Sequence, residues 1–131
     1  MRLVKQFDDV GCGLACVAMA AGTNYRTVRD FAFPNGDVGL TSMRRLRGIM
    51  EHHGVTLGER LIPFRRRRPD DLPFDALLKV NVRKAGLEWH WVVWDHERQQ
   101  VLDPRKPPYK RLRFMSYVRL YKREPDASIS R

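Results

Sequence analysis

A buried helix near the start of the sequence constrains the fold more than any other feature. Residues 14–21 are all apolar, and Gly13 and Gly22 stand on either side of them. A surface helix carries polar residues along one face, so a helix that is apolar nearly all round has to be covered by the rest of the protein. Gly22 is suited to end the helix in the left-handed conformation. The chain therefore needs a core that surrounds this helix.

The order of the remaining patterns predicts the α+β class, with N-terminal helices packed on an antiparallel β-sheet. Apolar residues recur at helical spacing after Thr23 or Asn24, and again after Thr41 or Ser42, and each of these residues can cap a helix. Strands are predicted over residues 55–61, 76–82, 89–94 and 100–102, and within 111–120. We expect one domain over residues 1–123 and a disordered tail over residues 124–131.

The net charge of +10 predicts attraction to acidic partners such as nucleic acid, an acidic protein or an anionic membrane surface. Its densest segment contains Arg65, Arg66, Arg67 and Arg68. These arginines either steer an acidic substrate or form an ordinary solvated loop, and both interpretations remain open. If they steer, the substrate is an acidic or nucleic-acid-associated protein or peptide.

The sequence contains no run of about 18 apolar residues, so no membrane span is predicted. Charged residues at Arg2 and Lys5 interrupt the start of the chain too early for a signal peptide. We therefore expect a cytoplasmic protein, or one that is exported by a machinery that needs no signal peptide. Cys12 and Cys16 lie four residues apart in the predicted helix and are expected to remain reduced thiols. They cannot complete a four-cysteine zinc site, and no metal or cofactor is predicted.

Cys12 is the candidate nucleophile. It stands between Gly11 and Gly13 at the start of the buried helix, where free N–H groups and the helix dipole stabilise a thiolate. The glycines would also leave room for a substrate to approach the backbone. The alternative is that Cys12 is a small core residue, as is expected of Cys16 one turn further along.

His90 is the candidate base because a polar residue inside the aromatic and aliphatic stretch of residues 89–94 needs a reason to be there. A hairpin with a two-residue loop at His96 and Glu97 would place His90 directly opposite Asp103. A carboxylate in that position would fix the histidine tautomer and stabilise its imidazolium form. A purely structural His–Asp pair is the alternative.

These motifs together resemble the C39-type, papain-like cysteine peptidases. The segment Gln6 to Cys16 resembles the family's N-terminal motif, in which a glutamine precedes the Cys-Gly of the central helix by six residues. Residues 90–93 (HWVV) and 101–104 (VLDP) resemble the family's histidine motif and its later Asp-Pro. The order and spacing of these motifs agree over most of residues 3–120. The chain departs from transporter-fused members, many of which carry aspartate where Gly11 stands.

The resemblance implies a cysteine peptidase in which Cys12 is the nucleophile, His90 the base and acid, and Asp103 the residue that orients His90. It also implies that Gln6 donates to the oxyanion, a role for which the residues alone give no argument. The same residues can catalyse deamidation or transglutamination. Some proteins with this fold are antibacterial or host-directed effectors, which makes an exported toxin with an inhibitory immunity protein a further expectation. A catalytically idle basic module that binds nucleic acid or an acidic protein is the other class.

Overall fold

The computed structural model describes residues 1–122, so the predicted tail over 124–131 lies outside the described residues. The three α-helices lie within residues 12–52 and the antiparallel strands follow within residues 55–122, which confirms the α+β prediction. The helices are α1 Cys12–Ala21, α2 Tyr25–Ala32 and α3 Met43–His52, and a 3-10 turn covers Pro69–Asp71. The strands are β1 Val55–Leu57, β2 Ile62–Pro63, β3 Ala76–Arg83, β4 Glu88–Asp95, β5 Gln100–Leu102 and β6 Phe114–Lys122.

The sheet has the strand order β1-β6-β3-β4-β5, and β2 also pairs with β6. All of the strand pairs are antiparallel. One face of the sheet packs against the helices, with α1 lying mainly against β4. The opposite face carries a second apolar core that includes Phe64 and Leu72, from the segment between β2 and β3. The sheet is thus covered on both faces, and α1 packs against β4.

The buried helix α1 matches the expectation from its composition, since residues 13–20 are all buried. Gly22 ends the helix with a left-handed φ of 73°. Asn24 caps α2 by accepting a hydrogen bond from the Thr27 N–H, and Ser42 caps α3 by accepting one from the Arg45 N–H. Each of these ends was predicted from local chemistry, because a cap satisfies backbone groups that the helix itself leaves free.

The glycines on either side of Cys12 have a packing role that the sequence analysis did not foresee. A side chain at position 11 would collide with the Tyr25 hydroxyl, and one at position 13 would collide with the Thr41 hydroxyl. Both hydroxyls belong to residues that are themselves buried. Glycine is therefore needed here so that the first turn of α1 can approach its neighbours closely.

Gly13→Ala is expected to destabilise the protein although alanine favours a helix more than glycine does. Overpacking against Thr41 costs about 1–3 kcal/mol, which exceeds the roughly 1 kcal/mol of gained helix propensity. Gly48→Ala in α3 is the matched control, because the new methyl group would stand in open space. Urea denaturation should show a lower free energy of unfolding for Gly13→Ala and a higher one for Gly48→Ala. Equal changes in the two variants would contradict the packing role of Gly13.

The single strand predicted over residues 55–61 is wrong, because β1 stops at Leu57. The Arg47 guanidinium donates to the carbonyls of Leu57 and Glu59, so these groups are occupied by α3 instead of a neighbouring strand. The chain then rejoins β6 as β2. Within residues 1–122, no helix has the length and apolar character that crossing a membrane requires.

Candidate active site

Cys12 and His90 line the same cavity, although 78 positions of sequence separate them. Cys12 is half-buried at the first position of α1, and His90 is a buried residue of β4. The packing of α1 on β4 brings the two side chains to the same end of the sheet. The cavity has a volume of about 480 Å³ and is also lined by Trp89, Trp91 and Tyr109. It is therefore large enough to hold several atoms of a ligand beside the thiol.

Asp103 holds one nitrogen of the His90 ring. The distance from His90 Nε2 to Asp103 Oδ1 is 2.7 Å, and both side chains are buried. The same carboxylate accepts hydrogen bonds from the backbone N–H groups of Arg105, at 3.0 Å, and Tyr109, at 2.9 Å. Burial works to raise the pKa of Asp103, but these three hydrogen bonds outweigh it and hold the pKa below its usual value. The carboxylate is thus kept ionised beside the ring.

With Nε2 engaged by Asp103, Nδ1 is the ring nitrogen left for the Cys12 thiol. Burial works to lower the pKa of His90, but the hydrogen bonds and charges of Asp103 and Cys12 together raise it to about 9. His90 is therefore an imidazolium at neutral pH. A ring that is held by a carboxylate on one side and faces a thiol on the other can transfer a proton to or from a reacting group.

The predicted pairing of His90 with Asp103 is right as a contact and wrong as a strand register. The structure pairs Val93 with Leu102 and Asp95 with Gln100, which shifts the hairpin by two residues from the prediction. The shift arises because the loop spans four residues, 96–99, and Gln99 adopts a left-handed φ of 55°. A shift of two residues keeps every side chain on its own face of the sheet. The buried carboxylate therefore still reaches the histidine, from a position just past the end of β5.

Gln6 lies close to His90 but its amide group is already engaged. The Gln6 backbone N–H donates to the carbonyl of Pro104, and both residues 6 and 90 line a second cavity. The Gln6 Nε2 group donates to the backbone carbonyls of Asp8, at 2.9 Å, and Asp9, at 3.1 Å. Gln6 Oε1 is buried and has no hydrogen-bond partner within the described residues. A donor role toward a substrate would require Nε2 to release one of the two carbonyls.

Cys16 and the arginine segment stand apart from the site. Cys16 is fully buried, and desolvation together with the charges of Cys12 and Asp103 raises its pKa well above the usual value. It is a protonated core thiol, as its apolar surroundings suggested. Residues 65–68 follow β2, on the far side of β6 and β3 from β4, and line neither of the two cavities. Steering by these arginines stays a prediction.

Comparison with solved structures finds a similar fold in a peptidase. The crystal structure of the peptidase domain of Streptococcus ComA, a bifunctional ABC transporter involved in quorum sensing, matches with a TM-score of 0.58. The match covers 93% of this chain and 98% of that domain, at 19% sequence identity. The chain has the fold of this peptidase domain. No protein-family model matches the sequence, and no curated protein does so either.

The C39-like fold predicted from the motifs is thus confirmed as a fold. At 19% identity, the likeness extends to the architecture and not to the roles of individual residues.

Tyr109 is a residue of the site that the sequence analysis missed. Its ring stands edge-on to the His90 ring, with 5.1 Å between the two centroids, and it lines both cavities. The segment from Arg105 to Tyr109 is held in place by the Asp103 carboxylate. The Asp-Pro-Arg sequence is compatible with an aspartate-based turn, which was the one available signal. The turn alone does not predict that the Tyr109 N–H, six residues after Asp103, also donates to the Asp103 carboxylate.

Proposed function

We propose that this protein is a cysteine peptidase that hydrolyses peptide bonds through a Cys12 thiolate, with His90 as acid and base and Asp103 as its orienting partner. The observation that supports it best is the cavity that Cys12 and His90 share, together with the distance of 2.7 Å between His90 Nε2 and Asp103 Oδ1. A nucleophile beside a base, with the base held in turn by a third group, is the arrangement that activates a weak nucleophile. The fold of a peptidase domain agrees with this chemistry.

In this mechanism the Cys12 thiolate attacks the carbonyl carbon of the scissile bond, and the carbonyl oxygen becomes an oxyanion. The His90 imidazolium then donates its proton to the leaving nitrogen, the C–N bond breaks, and a thioester with Cys12 remains. A water molecule that gives a proton to His90 attacks the thioester, the C–S bond breaks, and the acid product leaves while the Cys12 thiolate and the His90 imidazolium are restored. Asp103 keeps the ring oriented and compensates its positive charge during both steps.

The oxyanion would be stabilised at the first turn of α1, where backbone N–H groups have no intrahelical acceptor. We propose the Cys12 N–H as the first donor and Gln6 Nε2 as the second. Nε2 can serve only if a substrate carbonyl oxygen replaces one of the two backbone carbonyls that it binds in the structure. The loop at Asp8 and Asp9 would then have to yield when substrate enters.

Gln6→Ala is expected to lower kcat on a peptide substrate about 100-fold, the usual effect of losing one oxyanion donor. Gln6→Glu should lower it at least as much, because a carboxylate would repel both the oxyanion and the two loop carbonyls. Steady-state kinetics on both variants, with circular dichroism to verify folding, make the measurement. If Gln6→Ala keeps kcat within about threefold of wild type, the Gln6 side chain serves only to hydrogen-bond the loop at Asp8 and Asp9. The Cys12 N–H would then stabilise the oxyanion without Gln6.

The proposed activity is tested by incubating the protein with a degenerate peptide library and identifying the products by mass spectrometry. Hydrolysis yields new N- and C-termini, deamidation adds about 1 Da to a glutamine, and transglutamination joins two peptides, so one experiment separates the three reactions. The Cys12→Ala variant is the control for contaminating peptidases. New termini that require Cys12 support the proposal, whereas modified glutamines would assign the site to deamidation or transglutamination. No change in the library would favour the idle binding module.

Two further expectations concern the setting of this activity. Export as an antibacterial or host-directed effector, and an inhibitory protein that blocks the enzyme in its own cell, stay predictions from the resemblance. The cavity that holds Cys12 and His90 is the place where such an inhibitor would act. Leu40 and Leu87 line the same cavity and are 73% and 77% exposed, so they offer apolar surface to whatever polypeptide binds there.

A further inference from the structure

A second cavity adjoins the His90 ring and differs in chemistry from the first. It has a volume of about 300 Å³, and its walls come from residues 6–9 on one side and from Arg105, Lys106 and Tyr109 on the other. His90 lines both cavities, so the catalytic ring stands between them. A peptide that lies across Cys12 and His90 would therefore place some of its side chains in or beside this second space.

Two cations of this cavity are held in place without an acidic partner. The Arg105 guanidinium lies over the Tyr109 ring at 4.1 Å and donates to the Pro107 carbonyl, and the Lys106 ammonium lies over the Phe7 ring at 4.1 Å. Within residues 1–122, neither side chain takes part in an ion pair. Aromatic faces position these cations but do not neutralise them. Both remain able to bind a carboxylate.

The carboxylates of this cavity lie on the opposite wall and form no ion pair with the two cations within residues 1–122. Asp8 accepts a hydrogen bond of 2.6 Å from the Tyr25 hydroxyl, on the side of the chain that faces α2. Asp9 is exposed and has no side-chain partner among the described residues. The Tyr25 hydroxyl is neutral and leaves the Asp8 charge in place, so two carboxylates on one wall stand across from two cations on the other. The charges are separated by wall, and an acidic group is favoured on the Arg105 and Lys106 side.

The backbone of the loop that contains Arg105 and Lys106 is hydrogen-bonded to Asp103. The Asp103 carboxylate that orients His90 also accepts the N–H groups of Arg105 and Tyr109. The Lys5 ammonium adds hydrogen bonds to the carbonyls of Asp103 and Arg105. The loop that carries the cations is thus fixed relative to the His90 ring. A fixed cation next to the reacting atoms discriminates between substrates better than a mobile one does.

We propose that Arg105 and Lys106 form a subsite for an acidic side chain of the peptide substrate, beside the scissile bond and on the His90 side of the cleft. The inference rests on the proposed peptidase function and names its substrate class, which is peptides with glutamate or aspartate at one position near the cleavage point. It places the preference for acidic substrates in the cleft, instead of in the distant segment of residues 65–68.

Cleavage sites in a degenerate peptide library provide the first test. Sequences of the products, aligned on the cleaved bond, should show glutamate and aspartate enriched at one position close to that bond. A pair of peptides that differ only by Glu or Gln at that position then gives the preference as a ratio of kcat/KM values. We expect a ratio of about 10, the size that one ion pair at the half-buried Arg105 and one at the exposed Lys106 can supply together. A library that is cleaved without acidic enrichment overturns the subsite but leaves the peptidase proposal standing, whereas a library that is not cleaved contradicts the peptidase proposal.

Two double variants with the same change in net charge then locate the preference. Arg105→Gln with Lys106→Gln should reduce the Glu/Gln ratio to within about twofold of 1. Arg65→Gln with Arg66→Gln should leave the ratio near its wild-type value at about 0.15 M salt, where charges more than about 8 Å apart are largely screened. Asp9→Asn should raise the ratio, because it removes the opposing unpartnered carboxylate. An equal fall in both double variants would assign the preference to overall charge and refute the subsite.

Discussion

Cys12→Ala is expected to lower kcat/KM for peptide hydrolysis at least about 10⁴-fold, because Cys12 is the thiol that lines the cavity with His90 and the second thiol, Cys16, is fully buried. The residue is only half-buried and an alanine fits at the start of a helix, so the fold should persist. Activity that survives can come only from water attacking a carbonyl held in the cleft. The measurement is hydrolysis of a peptide chosen from the library cleavage, followed in parallel with the melting temperature of the variant.

Cys16→Ala is the matched control for that experiment. It removes the second thiol from the same helix, one turn further along, where the side chain is fully buried among apolar neighbours. The small cavity that it creates costs about 1–2 kcal/mol of stability but leaves the cleft intact. We expect kcat/KM within about threefold of wild type. A Cys12→Ala variant that stays as active as Cys16→Ala would remove Cys12 from the mechanism.

Asp103→Asn is expected to reduce kcat by about 10²–10⁴-fold, because the neutral amide neither compensates the imidazolium nor fixes the ring as a carboxylate does. The carboxylate accepts from His90, Arg105 and Tyr109, and an amide has only one acceptor oxygen for these three donors. The loop that carries Tyr109 should loosen at the same time. A thermal melt alone would not separate the two effects, whereas a pH profile does.

The pH profile of kcat/KM should show a basic limb near pH 9 in the wild-type protein, where His90 loses its proton. In Asp103→Asn this limb should move to lower pH, because one of the groups that raise the pKa of His90 is gone and burial still works to lower it. The raised pKa also stabilises the folded state below the unfolded value of about 6.5, and this contribution is lost as pH rises toward 9. A variant with reduced kcat but an unchanged limb would indicate a structural role for Asp103 only.

Local chemistry made the helices predictable. The apolar stretch before Gly22 and the caps at Asn24 and Ser42 act through neighbouring atoms, so their effects can be derived from the sequence. Cys12 could be singled out for the same reason, since the position at a helix start gives a thiol its chemistry. The packing role of Gly13 could not, because it depends on the Thr41 hydroxyl, which approaches from another part of the chain.

The contact between His90 and Asp103 was predictable because side chains of a strand alternate between the two faces of the sheet. A register error of two residues therefore leaves each side chain on its predicted face. The length of the hairpin loop was not predictable, since the sequence does not show the left-handed backbone of Gln99. The engagement of Gln6 Nε2 by two loop carbonyls likewise follows from tertiary structure. The role of Gln6 therefore came only from resemblance, and its hydrogen bonds now define what has to change for it to act.

The proposal that Cys12 and His90 act as one catalytic unit is tested most directly by labelling with a cysteine-directed peptidyl electrophile. The rate of labelling reports thiolate reactivity in the cleft, and tandem mass spectrometry of the labelled protein identifies the modified residue. We predict that Cys12 alone is modified in the wild-type protein and that His90→Ala slows labelling at neutral pH at least about 100-fold. Label on Cys16, or a His90→Ala variant that is labelled as fast as wild type, would contradict the assignment.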